Sequence, residues 1–320
     1  MKIRNFVRLS HLAMCGAIGL FLNSATVFAA PQGVTCNQLN SFSVVPGLIG
    51  LPTNGAYVTS AQMLPASGSG AQALDAYCKV YGAIRPVDPA APDIRFQVHL
   101  PNNWNFKTMM FGGGGFNGEL DVFVNFVHAG ASSQLSPQGR GYAVFGSDSG
   151  HEQQPPFIFG RDASFAVNDE ALENFAWAAL KKTRDTAQQI IYAYYGRTPQ
   201  KNYFHGGSTG GREAITALQK WPHDYDGVIA IYPAIEFTGF FQQFGRISEA
   251  LARPGAYLNN EKRQLLHDAT LVACDHLDGL VDGVISNVSA CNHLFTRGRS
   301  AKYSGFAGLR CPGGVDAGNH

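Results

Sequence analysis

The chain has 320 residues, of which 45% are hydrophobic and 15% are charged, and its formal net charge is +1. This composition supports a sizeable folded core and excludes a mainly disordered chain. The sequence contains no basic patch and no run of like charge, so it does not favour a nucleic-acid-binding protein. The length fits one large domain or one and a half.

The N-terminal segment predicts a secretory signal peptide rather than part of the fold. A positively charged start precedes the apolar stretch 12–22, and the small residues Ala29 and Ala30 suit a cleavage site. The apolar stretch is too short to span a bilayer stably. We therefore assign 1–29 to a signal peptide and expect an exported protein, periplasmic or secreted, with no membrane contact after cleavage.

Export favours disulfide bonds among the five cysteines that follow the signal peptide. The predicted pairs are Cys36 with Cys78 and Cys274 with Cys291. In the chain-entropy model, bonds that close loops of these lengths stabilise a protein by about 4 and about 3 kcal/mol. Cys311 has no partner in this assignment, because the count is odd.

Strands and helices alternate through the middle of the chain. Strands are predicted at 93–101, 107–111, 141–151, 201–206 and 225–234, and helices are predicted at 168–196 and 210–221. Asn168 or Asp169 can cap the first helix, and Gly196 stands where a helix-ending glycine belongs. The alternation indicates an α/β fold with a mostly parallel sheet and covered faces. Beyond about residue 240 it stops, and 250–287 predicts one helix followed by tight turns.

The sequence GGSTG at 206–210 fits the G-x-S-x-G pattern of a nucleophile elbow. Ser208 falls between a predicted strand and a predicted helix, which is the context that the motif requires. The alternative is a glycine-rich turn with an incidental serine, because short patterns of this kind are common.

A serine nucleophile needs hydrogen-bond donors for the oxyanion that forms during acyl transfer. One donor should be the amide of Thr209, the residue after the nucleophile. The second should come from the glycine-rich loop 112–118, where we expect Gly115, with Gly114 as the nearest alternative. A phosphate-binding loop is disfavoured, because no G-K-[ST] follows.

The stretch 194–234 closely resembles the tannase and feruloyl esterase family of secreted α/β-hydrolases, and 146–151 and 273–285 carry further marks of that family. The resemblance implies a serine esterase that acts on small aromatic, phenolic esters, with Ser208 as its nucleophile. Many members have a cysteine just before the serine, bonded to a cysteine beside the catalytic histidine. Gly207 stands at that position here, so the sequence lacks this bond.

The family also implies an α/β-hydrolase core into which a large lid is inserted. Residues 30–240 would then be the N-terminal part of the catalytic domain, and 241–320 would be a partial lid. The acid and base of the catalytic triad should follow Ser208 in the order Asp or Glu, then His. We find neither and expect the C-terminal core strands to be missing, which would leave a nearly inactive fragment. The alternative is a non-catalytic, calcium-stabilised remnant that binds phenolic or plant-wall material.

Three aspartates, Asp275, Asp278 and Asp282, lie close together between two cysteines and are separated by glycines. Hard cations such as Ca²⁺ bind several carboxylate and carbonyl oxygens. From spacing alone, metal-free Asp-Gly turns remain an alternative. The family resemblance favours a structural calcium ion and implies the three carboxylates and the main-chain oxygens of Leu280 and Val284 as its ligands.

Three further polar residues stand near these motifs. His205 lies on the predicted strand that leads into the elbow, so we expect it to be structural rather than a catalytic base. Asp148 and His151 follow another predicted strand, and we expect them to orient loops near the site.

Overall fold

The structure is a computed structural model that describes residues 33–120, 124–128, 130–153 and 162–296. The predicted signal peptide, Cys311 and the C-terminal end lie outside these residues. The chain divides into two compact units, Met1–Ile231 and Tyr232–His320. No helix in the described parts of the chain is long and apolar enough to cross a membrane.

The described residues of the first unit form an eight-stranded sheet. Its strands are β1 (Ser43–Val44), β2 (Ala56–Leu64), β3 (Tyr77–Ile84), β4 (Ile94–Pro101), β5 (Lys107–Phe111), β6 (Ala143–Ser147), β7 (Lys201–Gly207) and β8 (Gly227–Ile231). They lie in the order β1-β2-β3-β4-β6-β5-β7-β8. The five predicted strands correspond to β4 through β8.

The sheet is mixed rather than mostly parallel. Strands β5, β6, β7 and β8 pair in parallel, as the alternation predicted. Strands β1 to β4 pair antiparallel, and β4 also pairs antiparallel with β6. The β3–β4 connection is 85–93, which is shorter than the dozen or more residues that a parallel crossover needs. A short connection therefore forces an antiparallel hairpin in this half of the sheet.

The predicted helix 168–196 is continuous in the chain but changes type along its length. It comprises α1 (Asp169–Glu173), a π-helical turn (Asn174–Ala178) and α2 (Ala179–Tyr195). The Asn168 side chain accepts a hydrogen bond from the Ala171 amide and caps the start, as predicted. Gly196 ends the helix in the left-handed region, with φ 67°.

One large apolar core joins the sheet to α2 and to α3 (Thr209–Lys220). From the sheet it takes the fully buried Phe96, Phe145 and Phe204, and from α2 it takes Ile190 and Ile191. Each such side chain contributes about 1.5–3 kcal/mol by leaving water. This packing fixes β7 and α3, the two elements on either side of Ser208.

Short 3₁₀ turns complete the first unit at Asn37–Ser41, Pro46–Leu48, Gly70–Gln72, Ser164–Val167 and Pro222–Asp224. The predicted Cys36–Cys78 disulfide is present and joins the residue before the first of these turns to β3, with a Cα–Cα distance of 5.7 Å. Both cysteines are buried within the apolar core.

The second unit is helical. The helix predicted within 250–287 is present and is followed by turns, whereas two further helices on either side of it were not predicted. The unit contains α4 (Phe237–Ala252), α5 (Asn260–Cys274), a 3₁₀ turn (Asp275–Asp278) and α6 (Val288–Thr296). The missed helix α4 carries Phe237, Phe240, Phe241 and Phe244 at helical spacing, so its signal was present in the sequence. The predicted Cys274–Cys291 disulfide joins α5 to α6 at a Cα–Cα distance of 5.2 Å.

Candidate active site

Ser208 occupies the turn between β7 and α3 in a strained backbone conformation. Its φ is 57° and its ψ is −122°, a region that costs a non-glycine residue on the order of 1–3 kcal/mol. The Ser208 amide donates to the Ile231 carbonyl at 3.0 Å, and the Arg212 amide donates to the Ser208 carbonyl at 3.1 Å. A strained serine between a strand and a helix is the geometry of a nucleophile elbow.

Glycines surround Ser208 because the backbone segments approach too closely for side chains. A Cβ at Gly206 would lie 2.1 Å from the Gly210 carbonyl oxygen. A Cβ at Gly210 would lie 2.7 Å from the Gly113 carbonyl oxygen. Both distances are far below van der Waals contact, so these positions require glycine.

Gly207 is required for a different reason. A Cβ at this position would lie 2.5 Å from Cγ of the His128 imidazole. The His128 ring also stacks near His205, with ring centroids 5.9 Å apart and planes at 17°. His128 therefore occupies the room that any side chain at position 207 would need.

The glycine-rich loop 112–118 lies directly against the start of α3. The Gly210 amide donates to the Gly113 carbonyl at 3.0 Å, and the Gly112 amide donates to the His205 carbonyl at 3.0 Å. The Thr209 hydroxyl donates to the Gly115 carbonyl at 2.6 Å. The structure thus brings Thr209 and Gly115, the two residues predicted as oxyanion donors, into direct contact.

The backbone amides near this contact are available to a ligand. Thr209 is the first residue of α3, where N–H groups have no partner within the helix. Within the described part of the chain, the amides of Gly114 and Gly115 donate no hydrogen bond. Ser208, Gly114 and Gly115 are each partly exposed, whereas Thr209 is buried. The arrangement can present N–H groups to an oxyanion beside the serine.

Two charged residues of α3 hold its first turns in place, and neither was assigned this role from the sequence. Arg212 donates to the carbonyls of Ala176 and Phe175 in the π-helical turn, at 2.9 and 3.1 Å. Glu213 is buried and accepts a hydrogen bond from the Gly113 amide at 3.0 Å. Burial raises the pKa of Glu213, while the charge of Arg212 opposes the rise.

Asp148 orients the far end of the glycine loop, in keeping with the role expected from the sequence. Its carbonyl accepts a hydrogen bond from the Gly118 amide at 3.0 Å. Its buried carboxylate accepts from the Gly150 amide at 2.9 Å and from Arg95 Nε at 2.9 Å. Burial raises the pKa of Asp148 to about 7, against the pull of Arg95 and the Gly150 amide.

The histidines near the site are held neutral by burial. The His151 ring stacks on Phe165 with centroids 3.7 Å apart, and burial lowers the pKa of His151 to about 4. Burial also lowers the pKa of His205 and that of His128. Within the described residues, the Ser208 hydroxyl forms no hydrogen bond with any of these rings. The expected absence of a triad acid and base stays a prediction.

The aspartates of the predicted calcium loop bind amides of their own loop. Asp275 accepts from the Gly283 amide at 3.1 Å, and Asp282 accepts from the Val284 amide at 3.0 Å. Asp278 accepts from the Leu280 amide at 3.0 Å, and this bond contributes most to lowering its pKa. Among the described residues, no three or more Asp, Glu, His or Cys side chains are grouped so as to hold a metal ion.

Two solved structures share the fold of this chain. The solved structure of feruloyl esterase B from Aspergillus oryzae superposes with a TM-score of 0.61 at 24% identity, covering 80% of this chain and 49% of that one. A tannin acyl hydrolase from Aspergillus niger superposes with a TM-score of 0.53 at 20% identity, covering 83% and 49%. Both likenesses show the fold, which is that of the α/β-hydrolases.

The family assignment comes from the sequence. The family model described as tannase and feruloyl esterase matches residues 78–317. The chain therefore belongs to the tannase and feruloyl esterase family, as the resemblance indicated, and this is a family of carboxylic ester hydrolases.

Two relatives illustrate how far the likeness extends. An uncharacterized esterase of Agrobacterium fabrum is 38% identical over 270 residues, which are 83% of this chain and 48% of that protein. A mono(2-hydroxyethyl) terephthalate hydrolase of Piscinibacter sakaiensis is 30% identical over 79% of this chain and 44% of its own length. The chain spans about half the length of the curated relatives it matches.

The close approach at Gly206 predicts that Gly206→Ala is destabilising. Its methyl group would collide with backbone that has no room to move, so we expect a loss of about 1–3 kcal/mol in the free energy of unfolding. Gly47→Ala is the matched control, since no atom of the described residues lies within 4 Å of a Cβ there. Urea denaturation followed by circular dichroism should separate the two variants, and equal stabilities would contradict the packing described.

The buried His151 predicts a loss of stability on acidification. Its pKa is about 4 in the folded protein against 6.5 for an exposed imidazole, so the unfolded state takes up the proton first as the pH falls. The stability it contributes is fully present above pH 6.5 and is lost as the pH falls towards 4.

His151→Phe keeps the ring stack but cannot be protonated. Between pH 7 and pH 4 the parent should lose more stability than this variant, by up to about 3 kcal/mol. Denaturation midpoints measured across this range provide the test. Parallel curves for the two proteins would show that His151 does not titrate as described.

Proposed function

We propose that this chain carries the nucleophile and the oxyanion site of a serine carboxylesterase that acts on aromatic, phenolic esters. The observation that carries the proposal is the strained Ser208 turn, held against the glycine loop by the Thr209–Gly115 hydrogen bond. The family membership, shown independently, supports ester hydrolysis.

In the proposed reaction, the Ser208 oxygen attacks the ester carbonyl carbon and the carbonyl oxygen becomes negatively charged. The amides of Thr209 and Gly115 donate hydrogen bonds to that oxygen. Collapse of the intermediate expels the alcohol and leaves an acyl group on Ser208, and water then releases the acid. The positive end of α3, which begins directly after the serine, also favours the negative charge. The group that accepts the serine proton is not assigned among the described residues.

The aromatic character of the substrate is supported by the relatives. They include a probable feruloyl esterase B-2 of Aspergillus flavus, 31% identical over 61% of this chain, and the terephthalate-ester hydrolase described above. Export is supported by the two disulfides, since such bonds persist in oxidising compartments.

The proposal predicts that a fluorophosphonate probe labels the full-length gene product at Ser208 and that Ser208→Ala abolishes the labelling. The exposed Ser69→Ala is the control and should label like the parent. Peptide mass spectrometry identifies the modified residue. Labelling that persists in Ser208→Ala would contradict the assignment, and a folded parent that never labels would favour a non-catalytic binding protein.

We further propose that the loop 275–284 binds a structural Ca²⁺ through Asp275, Asp278 and Asp282 and the main-chain oxygens of Leu280 and Val284. Three carboxylates within one short, disulfide-bounded loop supply the oxygen ligands that Ca²⁺ prefers. The carboxylates now accept from loop amides, so binding requires them to turn towards the ion. This proposal therefore includes a change in loop conformation on metal binding.

The calcium proposal predicts that a chelator lowers the melting temperature and that added Ca²⁺ restores it. At a hundredfold excess over Kd, a bound ion stabilises by about 2.7 kcal/mol. Asp278→Asn should remove most of the response, whereas Asp268→Asn on α5 should keep it. Melting curves that are unaffected by chelator and by Ca²⁺ would show that the loop does not bind the ion.

A further inference from the structure

Glu213 is a buried carboxylate that holds the glycine loop from within the core. It lies on the second turn of α3, and only 2% of its surface is exposed. One carboxylate oxygen accepts a hydrogen bond from the Gly113 amide at 3.0 Å, and the other accepts from the side-chain amide of Asn117. The two donors flank the residue proposed as the oxyanion donor, Gly115.

The contact is close enough to define the path of the loop. A Cβ at Gly112 would lie 2.7 Å from the carboxylate oxygen that accepts from Gly113, so the loop backbone rests on the carboxylate itself. Asn117 has φ 58°. Its backbone N–H donates a hydrogen bond to the Gly114 carbonyl at 2.7 Å, which closes a tight turn around Gly115. Glu213 therefore fixes both ends of this turn.

A carboxylate at this depth is costly unless it is hydrogen-bonded and paired. The pKa of Glu213 is raised by burial and is held down by the adjacent Arg212 and by the two donors from the loop. An apolar side chain could fill the same space without that cost. The loop needs two acceptors on one rigid group, and the two side-chain oxygens of Glu213 supply both.

We propose that Glu213 is a positioning residue that sets the geometry of the oxyanion site by clamping Gly113 and Asn117. The proposal rests on the proposed function, because it assumes that Gly115 and Thr209 receive the oxyanion. Glu213 touches no substrate. It acts by keeping the turn in place, so its loss should weaken binding of the transition state more than binding of the ester.

The chemistry of the clamp suggests a pair of variants. In Glu213→Gln one oxygen becomes an NH₂ group, which then faces another donor, either Gly113 N–H or the Asn117 amide. Asn117→Asp replaces the side-chain donor at position 117 by an acceptor, which the new NH₂ group can then face. The double variant Glu213→Gln/Asn117→Asp therefore keeps the hydrogen bond from Gly113 and restores the one between positions 213 and 117 with its direction reversed. Asn117 Oδ1 has no hydrogen-bond partner among the described residues, so the exchange displaces no other bond there.

The test measures kcat and KM for an aryl ester with the full-length gene product. Glu213→Gln should lower kcat about 10- to 100-fold, since removing a whole oxyanion donor costs about 10²–10³. KM should change less than about threefold. The kcat of the double variant should be at least about tenfold higher than that of Glu213→Gln. Affinity for an aryl boronic acid should fall in step with kcat, whereas affinity for the product acid should not.

Any of three results would overturn the proposal. The first is a Glu213→Gln protein with full kcat. The second is a folded Glu213→Gln protein whose loss of kcat is not recovered by Asn117→Asp. The third is a folded Glu213→Gln protein whose affinities for boronic acid and product acid fall equally.

Hydrogen exchange of the peptide that spans 112–118 separates failure of this proposal from failure of the proposed function. Exchange should be faster in Glu213→Gln and should slow again in the double variant, whether or not the parent hydrolyses esters. Unchanged exchange would refute the clamp. A parent that hydrolyses no ester, with exchange behaving as expected, would refute the proposed function and with it the catalytic role of the clamp.

Discussion

The site depends on backbone-to-backbone contact between the turn at Ser208 and the loop 112–118. A Cβ at Gly210 would lie 2.7 Å from the Gly113 carbonyl oxygen, and a Cβ at Gly112 would lie 2.7 Å from the Gly210 Cα, so neither position has room for one. This approach brings the Thr209 hydroxyl within 2.6 Å of the Gly115 carbonyl oxygen. Among the described residues, it leaves the amides of Gly114 and Gly115 without an acceptor beside Ser208. The strain at Ser208, on the order of 1–3 kcal/mol, persists because the core packing of β7 and α3 fixes both ends of the turn.

The glycine at position 207 has a physical explanation in the fold. A side chain at this position would collide with the His128 imidazole. His128 is held in a stack with His205, and burial favours the neutral form of both rings. Gly207 and these two imidazoles therefore pack together beside Ser208.

The sequence was most informative where structure is set by neighbours along the chain. The Asn168 cap, the Gly196 end and the strand–serine–helix context of Ser208 are all local and were predicted. Strands β2 and β3 were not, partly because a register shift between Val58 and Ser60 breaks the alternation of buried residues. The clamp from Glu213 was also missed, because it joins residues about a hundred positions apart, and no local pattern records such a contact.

The most direct test of this account is a crystal structure of the protein with an aryl phosphonate bound covalently. The account predicts a bond from phosphorus to the Ser208 oxygen, with one phosphonyl oxygen about 3 Å from the amide nitrogens of both Thr209 and Gly115. An adduct on another residue, or a phosphonyl oxygen that faces neither amide, would contradict it.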